Sequence, residues 1–520
     1  MIKLDFFIKK GNTRFPNGLL KEERQLLCFM FYIFIIETSL SSTNIMSDID
    51  SYLGGFGFPI DQVKFLICVV ASYPLATLYK RLPNSTLKHI MSVFLGILYC
   101  HWSLGEWSWI HSFISSLVVY LIVSFLPRRN SHLIAFTFSM IYLSVSHWYR
   151  MYTDYMGWKM DYTSPQMVLT LKLTSFAWNY YDGQRASNEL TPDQAKKAIK
   201  TLPSLLEFFG FVYFFPTFLA GPTIEISDYL KFTSLEMFTD KRLNGLLPKT
   251  GTAALKTFLT SLLMFPGVIL SGMYPASYFV TTQFAMEPIW LQLIRVHAHI
   301  ALTRFKYYFG WYISEGSAIL TGIGYNGFDK NDNIRFDRIT NVNPVKVELA
   351  SNIRDVSTYW NIGTSDWLKN YVYLRLTPVG SKPKFSATLL TYVTSAFWHG
   401  FYPGYYIFFF CTTFLTEVAK DIRRKIRPYF VKGTGAEEKA IQPQKKIYDI
   451  VGTIVTAWWL NLFGASFILL SLEPTLVLWS NFNYIPVIML FAAFIFLRFV
   501  LPAPRPSKPT TSTAGEKKTQ

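Results

Sequence analysis

The sequence has few cysteines and few charges, and both shortages exclude large classes of protein. Only 4 of the 520 residues are cysteine, and 16% are charged, whereas a soluble domain carries about 25% charged residues. No two cysteines have the spacing of a zinc site or of a disulfide framework. The G-x-S-x-G motif of a serine nucleophile is also missing. The chain is therefore neither a disulfide-rich secreted domain nor an ordinary soluble hydrolase.

The chain is instead rich in long apolar segments. Hydrophobic residues make up 51% of it and aromatic residues 18%, with a mean hydropathy of +0.23. Runs of this length predict membrane-spanning helices, and we expect about eleven of them in an all-α, polytopic integral membrane protein. The two segments that flank Pro403 could be one broken element. The candidate spans are 63–79, 88–104, 107–126, 132–150, 164–181, 204–220, 253–273, 289–313, 385–399, 403–419, 448–471 and 474–500.

The distribution of charge indicates a membrane rather than a nucleic-acid partner. The formal net charge is +17, but the basic residues lie at the ends of apolar runs, as in cytoplasmic loops beside anionic lipid. The first and third short loops are basic and the second is acidic, which predicts that the first and third are cytoplasmic. A glycosylation sequon at Asn84 would then face the cytosol and stay unused. The charges concerned are those of Lys80, Arg81 and Lys88, of Glu106, and of Arg128 and Arg129.

Both ends of the chain differ from the apolar body. Residues 1–45 combine a basic flank with a short apolar run, which predicts a signal-anchor-like extension or an alternative start at Met46. The main domain then covers residues 46–502. Residues 503–520 are polar and rich in Pro, Lys and Thr, so we expect a disordered tail. Its Lys517-Lys518-Thr519-Gln520 ending resembles a cytosolic dilysine retrieval signal, which predicts an endoplasmic reticulum membrane protein with a cytosolic C-terminus.

Three polar segments interrupt the apolar pattern. Thr191-Pro192-Asp193-Gln194 has the form of a capping box and predicts a soluble helix to Lys200. The segment from Gly322 to Lys384 mixes aromatic and polar residues, which predicts interfacial helices at headgroup depth. A basic loop from Arg423 to Lys446 suits contact with a cytoplasmic lipid surface.

One histidine lies inside an apolar, aromatic run, Ser395-Ala396-Phe397-Trp398-His399-Gly400. An imidazole in hydrocarbon needs hydrogen-bond partners that lipid lacks, so such a residue usually faces a cavity or the interior of the bundle. Two interpretations stay open: His399 is functional, or a neighbouring helix carbonyl satisfies it. His297 and His299 are two residues apart, which directs them to different faces of a helix, and no acidic cluster accompanies them. We therefore expect no metal site.

Four passages, in this order along the chain, together resemble the membrane-bound O-acyltransferase family, in its lysophospholipid acyltransferase branch. They are Trp158-Lys159-Met160-Asp161 through Trp178-Asn179-Tyr180-Tyr181-Asp182-Gly183, the weaker Phe218-Leu219-Ala220-Gly221-Pro222, Trp360-Asn361-Ile362-Gly363-Thr364 with Trp367-Leu368 and Tyr371-Val372-Tyr373, and Trp398-His399-Gly400 followed by Pro403-Gly404-Tyr405-Tyr406. The similarity extends from about residue 50 to about residue 500, and within the family it favours the fungal enzymes of broad specificity.

The resemblance implies a helical chamber that acyl-CoA enters from the cytosol and lipid enters from the bilayer. It implies a catalytic pair, His399 and Asn361, and transfer of an acyl group from acyl-CoA to the free hydroxyl of a lysophospholipid. Acyl-CoA is then a co-substrate, and no cofactor is expected. Trp360, Trp398, Tyr405 and Tyr406 would line the chamber, with lipid-facing packing as the alternative for each.

Residues of these types suit the chemistry. A neutral imidazole can take the hydroxyl proton as the oxygen attacks the thioester, and the thiolate leaves with little acid assistance because thiols ionise near about pH 8.5. Asn361 would either orient the histidine or hydrogen-bond the reacting carbonyl. No activated Cys or Ser lies near the motif, so we expect direct transfer. A sterol or diacylglycerol acyltransferase of the same fold, and a transporter gated by the histidine, remain as alternatives.

Overall fold

The computed structural model describes residues 59–157, 159–377, 380–381, 384–432 and 439–502. The predicted N-terminal extension, Met46 and the predicted C-terminal tail lie outside these residues. The described chain is almost entirely helical, apart from one antiparallel pair of two-residue strands, β1 (Val431–Lys432) and β2 (Lys439–Ala440).

The helices are numbered here in chain order. They are α1 (Ile60–Lys80), α2 (Ser85–Leu104), α3 (Ser108–Phe125), α4 (Arg128–Thr153), α5 (Thr163–Asp182), α6 (Pro192–Lys197), α7 (Leu205–Val212), α8 (Phe215–Phe218), α9 (Ile226–Thr233), α10 (Gly251–Met273), α11 (Thr282–Ala285), α12 (Ile289–Thr321), α13 (Pro344–Glu348), α14 (Ile353–Tyr359), α15 (Ile362–Trp367), α16 (Phe385–His399), α17 (Pro403–Lys425), α18 (Gln444–Leu469), α19 (Leu472–Ser480) and α20 (Ile485–Ile495). A π-helical segment, Leu368–Tyr373, continues α15, and a second one, Phe496–Val500, continues α20.

Four helices in the described part of the chain are long and apolar enough to span a membrane, namely α1, α3, α10 and α18. The pair α19 and α20, bent by 89°, makes a fifth if it is a single broken span. A helical membrane protein is thus confirmed, whereas the estimate of about eleven spans is not. Helices such as α4 and α5 are long enough, with 26 and 20 residues, but buried polar side chains lower their hydropathy.

The predicted span at 204–220 is wrong as a single helix. It consists of α7 and α8, because Pro216 has no N–H for helix pairing and its ring would clash with the carbonyl of Val212. The carbonyls freed at the break need partners inside the protein. Lys172 of α5, which is fully buried, supplies them by donating from Nζ to Phe211 O at 2.8 Å and Val212 O at 3.1 Å. A lysine in an apolar helix is therefore explained by the break opposite it.

Polar contacts identify the two ends of the bundle. At one end, called here the basic face, Lys80 Nζ donates to Pro248 O at 2.7 Å and Arg128 donates to Gln184 at 2.7 Å. The loops predicted to be cytoplasmic lie there, because successive helices alternate in direction. At the opposite end, the N–H of Met160 donates to Asp61 at 2.7 Å and that of Met156 to the Tyr402 hydroxyl at 2.7 Å.

The last described residues lie on the basic face. Helix α17 starts beside Leu470, whose carbonyl accepts from Gly404 N–H at 2.6 Å, and ends in Arg423, Arg424 and Lys425. Lys425 Nζ donates to Leu501 O at 2.5 Å. The C-terminal end of the described chain is therefore on the same side as the first and third loops.

The structure also tests parts of the predictions for the polar segments. The capping box of Thr191 and Gln194 is confirmed, but α6 ends at Lys197 rather than at Lys200. Residues 344–373 form short helices as expected, and Trp367 and Tyr371 are 2% and 3% exposed. Both side chains pack against α5, where their polar atoms find partners. Placement of these helices at headgroup depth stays a prediction.

Candidate active site

Side chains from two of the motif passages converge on one carboxylate, Glu225, which follows a third passage. Its Oε2 accepts from Asn179 Nδ2 of α5 at 2.8 Å, and its Oε1 lies 2.9 Å from Lys197 Nζ of α6. The Tyr371 hydroxyl lies 2.8 Å from Asn179 Oδ1 and 3.0 Å from Glu225. Glu225 follows the Phe218–Pro222 passage, so residues far apart in sequence meet in one hydrogen-bonded cluster. We call Asn179, Lys197, Glu225 and Tyr371 the Glu225 cluster.

A buried ion pair fixes the neighbouring end of α5. Asp182 and Arg375 are paired through two parallel hydrogen bonds of 2.8 and 2.5 Å, and their side chains are 1% and 10% exposed. The guanidinium also lies over the Trp178 ring, 4.2 Å from its centre. Bidentate pairing and stacking are the geometry for which arginine is suited.

A polar cavity of about 290 Å³ opens beside the Glu225 cluster on the basic face. Its wall includes Lys196, Lys197 and Arg338 together with Glu225 and Gly363. Burial alone would lower the pKa of Lys197, but the adjacent Glu225 carboxylate outweighs this and raises the pKa above its usual value. Lys197 therefore stays cationic at neutral pH. The lining also holds five carboxylates, those of Asp193, Glu225, Asp228, Asp337 and Asp366. Sequence reasoning missed Glu225, Lys197 and Arg338, because isolated charges carry no motif.

Asn361 lies at the edge of this cavity, between α14 and α15. Its backbone is in the left-handed region, with φ of +43°, which asparagine tolerates better than most residues. Its Oδ1 accepts from Asn341 Nδ2 at 3.2 Å, and its side chain is half-buried. Its neighbours Ile362 and Gly363 line the cavity.

His399 ends α16 and lies among aromatic rings. Its ring centre is 4.9 Å from that of Phe467, 5.4 Å from Phe409 and 5.6 Å from Tyr405. Within the described residues no protein atom makes a hydrogen bond with the His399 ring. The interpretation in which a helix carbonyl satisfies this histidine therefore finds no support.

A second histidine, His147 of α4, lies beside the catalytic candidate and was not singled out from the sequence. Its Nε2–H donates to the backbone carbonyl of Trp398 at 2.9 Å. Gly400, with φ of +125°, leaves room for this ring, because a Cβ there would lie 3.3 Å from His147 Nδ1. The need for space beside His147 thus explains why a glycine, Gly400, follows His399. Such a contact between distant helices cannot be read from sequence alone.

The four predicted chamber residues occupy different surroundings. Trp398 is 5% exposed, and its indole N–H donates to Met167 O at 2.9 Å. Trp360 is half-buried against Tyr307, Tyr308 and Trp311. Tyr405 contacts both His399 and Phe467, whereas half-buried Tyr406 shows no ring contact in the described chain. Contact with substrate stays a prediction for all four.

The helices that carry His399 and Asn361 are packed together. Helix α14, which precedes Asn361, contacts α17, which follows His399. The π-helical segment Leu368–Tyr373, which follows Asn361, contacts α16, which ends in His399. The elements on either side of Asn361 thus contact the two helices on either side of His399.

His297 and His299 do point in different directions, as their spacing predicts. His297 Nδ1 lies 2.7 Å from Asn461 Nδ2 of α18, while His299 packs on the Phe279 ring. Among the described residues no group of three or more His, Cys, Asp or Glu side chains is placed to hold a metal ion.

Comparison with known proteins gives a consistent result. The model of the membrane-bound O-acyltransferase family matches residues 148–458, more than half of the chain. A lysophospholipid acyltransferase of Schizosaccharomyces pombe is 35% identical over 84% of this chain and 86% of its own length. The Saccharomyces cerevisiae lysophospholipid acyltransferase is 36% identical over 85% and 75%. Human membrane-bound glycerophospholipid O-acyltransferase 2 is 30% identical over 82% of both chains. This chain belongs to the membrane-bound O-acyltransferase family.

Proposed function

We propose that the protein is an acyl-CoA-dependent lysophospholipid acyltransferase. The observation that carries this proposal is the similarity, over most of their length, to relatives named lysophospholipid acyltransferase in yeasts, in a plant and in Drosophila melanogaster. A sterol or diacylglycerol acyltransferase of the same family is the weaker alternative, since none of these relatives bears such a name.

His399 acts as the general base in this proposal. Its ring has no protein hydrogen bond in the described chain, so a ring nitrogen is available to a substrate hydroxyl. The lysophospholipid oxygen attacks the thioester carbon as its proton passes to the imidazole. The C–O bond forms, the C–S bond breaks, and the imidazolium returns the proton to the thiolate of CoA. The aromatic surroundings exclude water that would hydrolyse the thioester.

The polar cavity takes the CoA portion of the donor. Among its cationic residues Lys197 is paired with Glu225 and Arg338 with Asp228, so Lys196 is the group that meets a phosphate in this proposal. The cavity opens on the basic face, which loop charge predicts to be cytosolic. The lysophospholipid enters from the bilayer, toward the aromatic residues around His399. About eleven spans surround this chamber in the proposed membrane arrangement. The proposed location is the endoplasmic reticulum membrane, with the C-terminus in the cytosol, and the dilysine-like ending supports both.

A transfer assay tests the proposal. Microsomes from cells expressing the full chain receive radiolabelled oleoyl-CoA with a series of lysophospholipids that differ in headgroup, and separately with diacylglycerol or cholesterol. We expect label in the phospholipid products only. Label in cholesteryl ester or triacylglycerol, with none in phospholipid, would establish the alternative. Microsomes from cells with an empty vector provide the background.

A further inference from the structure

The backbone around Asn361 is held by an extended segment, residues 340–343. Ile362 N–H donates to Asn341 O at 2.8 Å, and Asn343 N–H donates to Tyr359 O at 3.0 Å. These two bonds clamp both sides of the left-handed residue. A residue with positive φ is held in place only where its surroundings fix it, and this segment supplies that constraint.

The same segment also fixes which way the Asn361 amide points. The Gly363 backbone N–H, which can only donate, lies 2.9 Å from the side chain of Asn341, so the atom that accepts is Oδ1. The other end of that amide, Nδ2, is then a donor, and it lies 3.2 Å from Asn361. The atom of Asn361 that receives this bond must be its Oδ1. Its Nδ2 accordingly points away from Asn341.

The free end of Asn361 is a donor with no acceptor in the protein. Within the described residues no protein atom accepts from Asn361 Nδ2. Asn341, by contrast, is 2% exposed and fully engaged. A buried amide that is hydrogen-bonded at both ends and orients a half-buried amide with an open donor is the arrangement expected where one residue positions another for substrate.

The clamp itself is anchored to α12. Thr340 Oγ1 donates to Glu315 at 2.7 Å, and the Tyr312 hydroxyl donates to Val342 O at 3.3 Å. Asn341 lies between these two anchors. Its position is therefore set by a long helix rather than by the loop in which it occurs.

We propose that Asn341 is a positioning residue that holds the Asn361 N–H toward the acyl carbonyl. Asn361 then donates a hydrogen bond to the oxyanion that develops on the thioester oxygen. The alternative role, in which Asn361 accepts from the histidine ring and orients it, would use the second lone pair of Oδ1 and leave the open Nδ2–H without a function. This inference rests on the proposed acyltransferase function and assigns one of the two roles that the sequence left open.

Asn341→Asp provides the test. Aspartate keeps the acceptor for Gly363 N–H but places a second acceptor against Asn361 Oδ1, so the Asn361 amide turns and its N–H leaves the substrate. We expect kcat to fall about 10- to 100-fold, because loss of one oxyanion donor costs about 100- to 1000-fold and the turned amide is still present. The KM values for oleoyl-CoA and for lysophospholipid should stay within about twofold, since the bond forms in the transition state.

Asn84→Asp is the matched control. It makes the same chemical change outside the 340–343 segment, at a side chain that caps α2 by accepting from Leu87 N–H at 2.9 Å. Aspartate caps a helix as well as asparagine does, so this variant should retain wild-type kcat. Melting curves in detergent for both variants establish that equal amounts of folded protein are compared.

A double variant separates positioning from a general structural role. Asn361→Ala alone should lower kcat, and Asn341→Asp added to it should lower kcat no further, because the residue it positions is gone. The inference would be overturned if Asn341→Asp had the same kcat as the wild type, or if the losses in kcat of the two single variants added up in the double variant. If Asn341→Asp fails to fold, Asn341→Ser is measured in the same cycle. A wild-type protein with no transfer activity would refute the proposed function instead.

Discussion

The Glu225 cluster and the surroundings of His399 use polar residues in opposite ways. In the cluster each of the four side chains has a polar partner within 3.0 Å. Around His399 the neighbours are aromatic rings, and the described chain offers the imidazole no hydrogen bond. In the proposed function a substrate hydroxyl supplies the partner that the described chain does not. The Glu225 cluster joins helices of the bundle, whereas the half-buried His399 ring keeps its nitrogens without a protein partner in the described residues.

The strongest test of this comparison is His399→Ala. Removal of a general base should lower kcat for acyl transfer about 100- to 10,000-fold. The melting temperature should stay close to wild type, because no hydrogen bond to the ring is lost. Initial rates with radiolabelled oleoyl-CoA and melting in detergent measure the two quantities. An active alanine variant would show that another residue is the base.

Arg375→Leu should instead lower stability, because it breaks the ion pair with Asp182 at the C-terminal end of α5. Asp182 would remain buried with only the longer contact to Arg185, whose Nη1 lies 3.7 Å from Asp182 Oδ1. The loss should approach the folding free energy of about 3–5 kcal/mol that a stranded buried charge costs. Detergent-solubilised protein should melt at a markedly lower temperature, with reduced yield. The double variant Asp182→Asn with Arg375→Leu removes the stranded charge and should regain part of the loss. A single variant as stable as wild type would contradict the assignment of Asp182 and Arg375 as a structural pair.

A smaller effect on kcat is expected for His147→Leu, because His147 contacts the end of α16 by a hydrogen bond but is not itself the proposed base. It removes the donor to Trp398 O while keeping an apolar side chain of similar reach. A misplaced His399 should lower kcat about 10-fold, the equivalent of about 1.4 kcal/mol. His147→Gln keeps a donor and serves as the matched control, with a smaller loss. If both variants lose the same activity, the hydrogen bond is not what positions the helix end.

The smallest effect is expected for Lys369→Ala, at an ion pair exposed to solvent. Lys369 and Asp193 are 3.5 Å apart, with side chains 53% and 58% exposed. Such pairs contribute at most about 1 kcal/mol, so the melting temperature should barely change, and less so at high salt. Comparison with Arg375→Leu shows how much of the stability loss comes from burial of the ion pair, because both variants remove one cation. A loss as large as that of Arg375→Leu would show that exposure does not govern these pairs.

Local signals predicted the parts of the fold that depend on nearby residues. Apolar run length located nearly all of the long helices, and Thr191 with Gln194 predicted a helix start through hydrogen bonds within four residues. The end of that helix was missed because no C-terminal capping signal marks Lys197. The break before Pro216 was missed because apolar composition continues through it, although the proline itself is a helix-breaking signal.

The candidate site was only half predictable, for the same reason. His399 and Asn361 belong to motifs, so resemblance identified them. His147, Asn341 and Glu225 act through contacts with residues more than 20 positions away in most cases, such as His147 with Trp398. Nothing in their local sequence distinguishes them from ordinary helix or loop residues. Tertiary structure, rather than pattern, assigns their roles.

The length of α12 has a consequence for where the reaction takes place. Its 33 residues make a rod about 50 Å long, while the hydrocarbon layer is about 30 Å thick. An upright α12 is therefore longer than the hydrocarbon layer, and its final turns carry the anchors of the 340–343 segment. In the proposed function the Asn361 amide then lies near the membrane surface, where a thioester from the water and a lipid from the bilayer can both reach it.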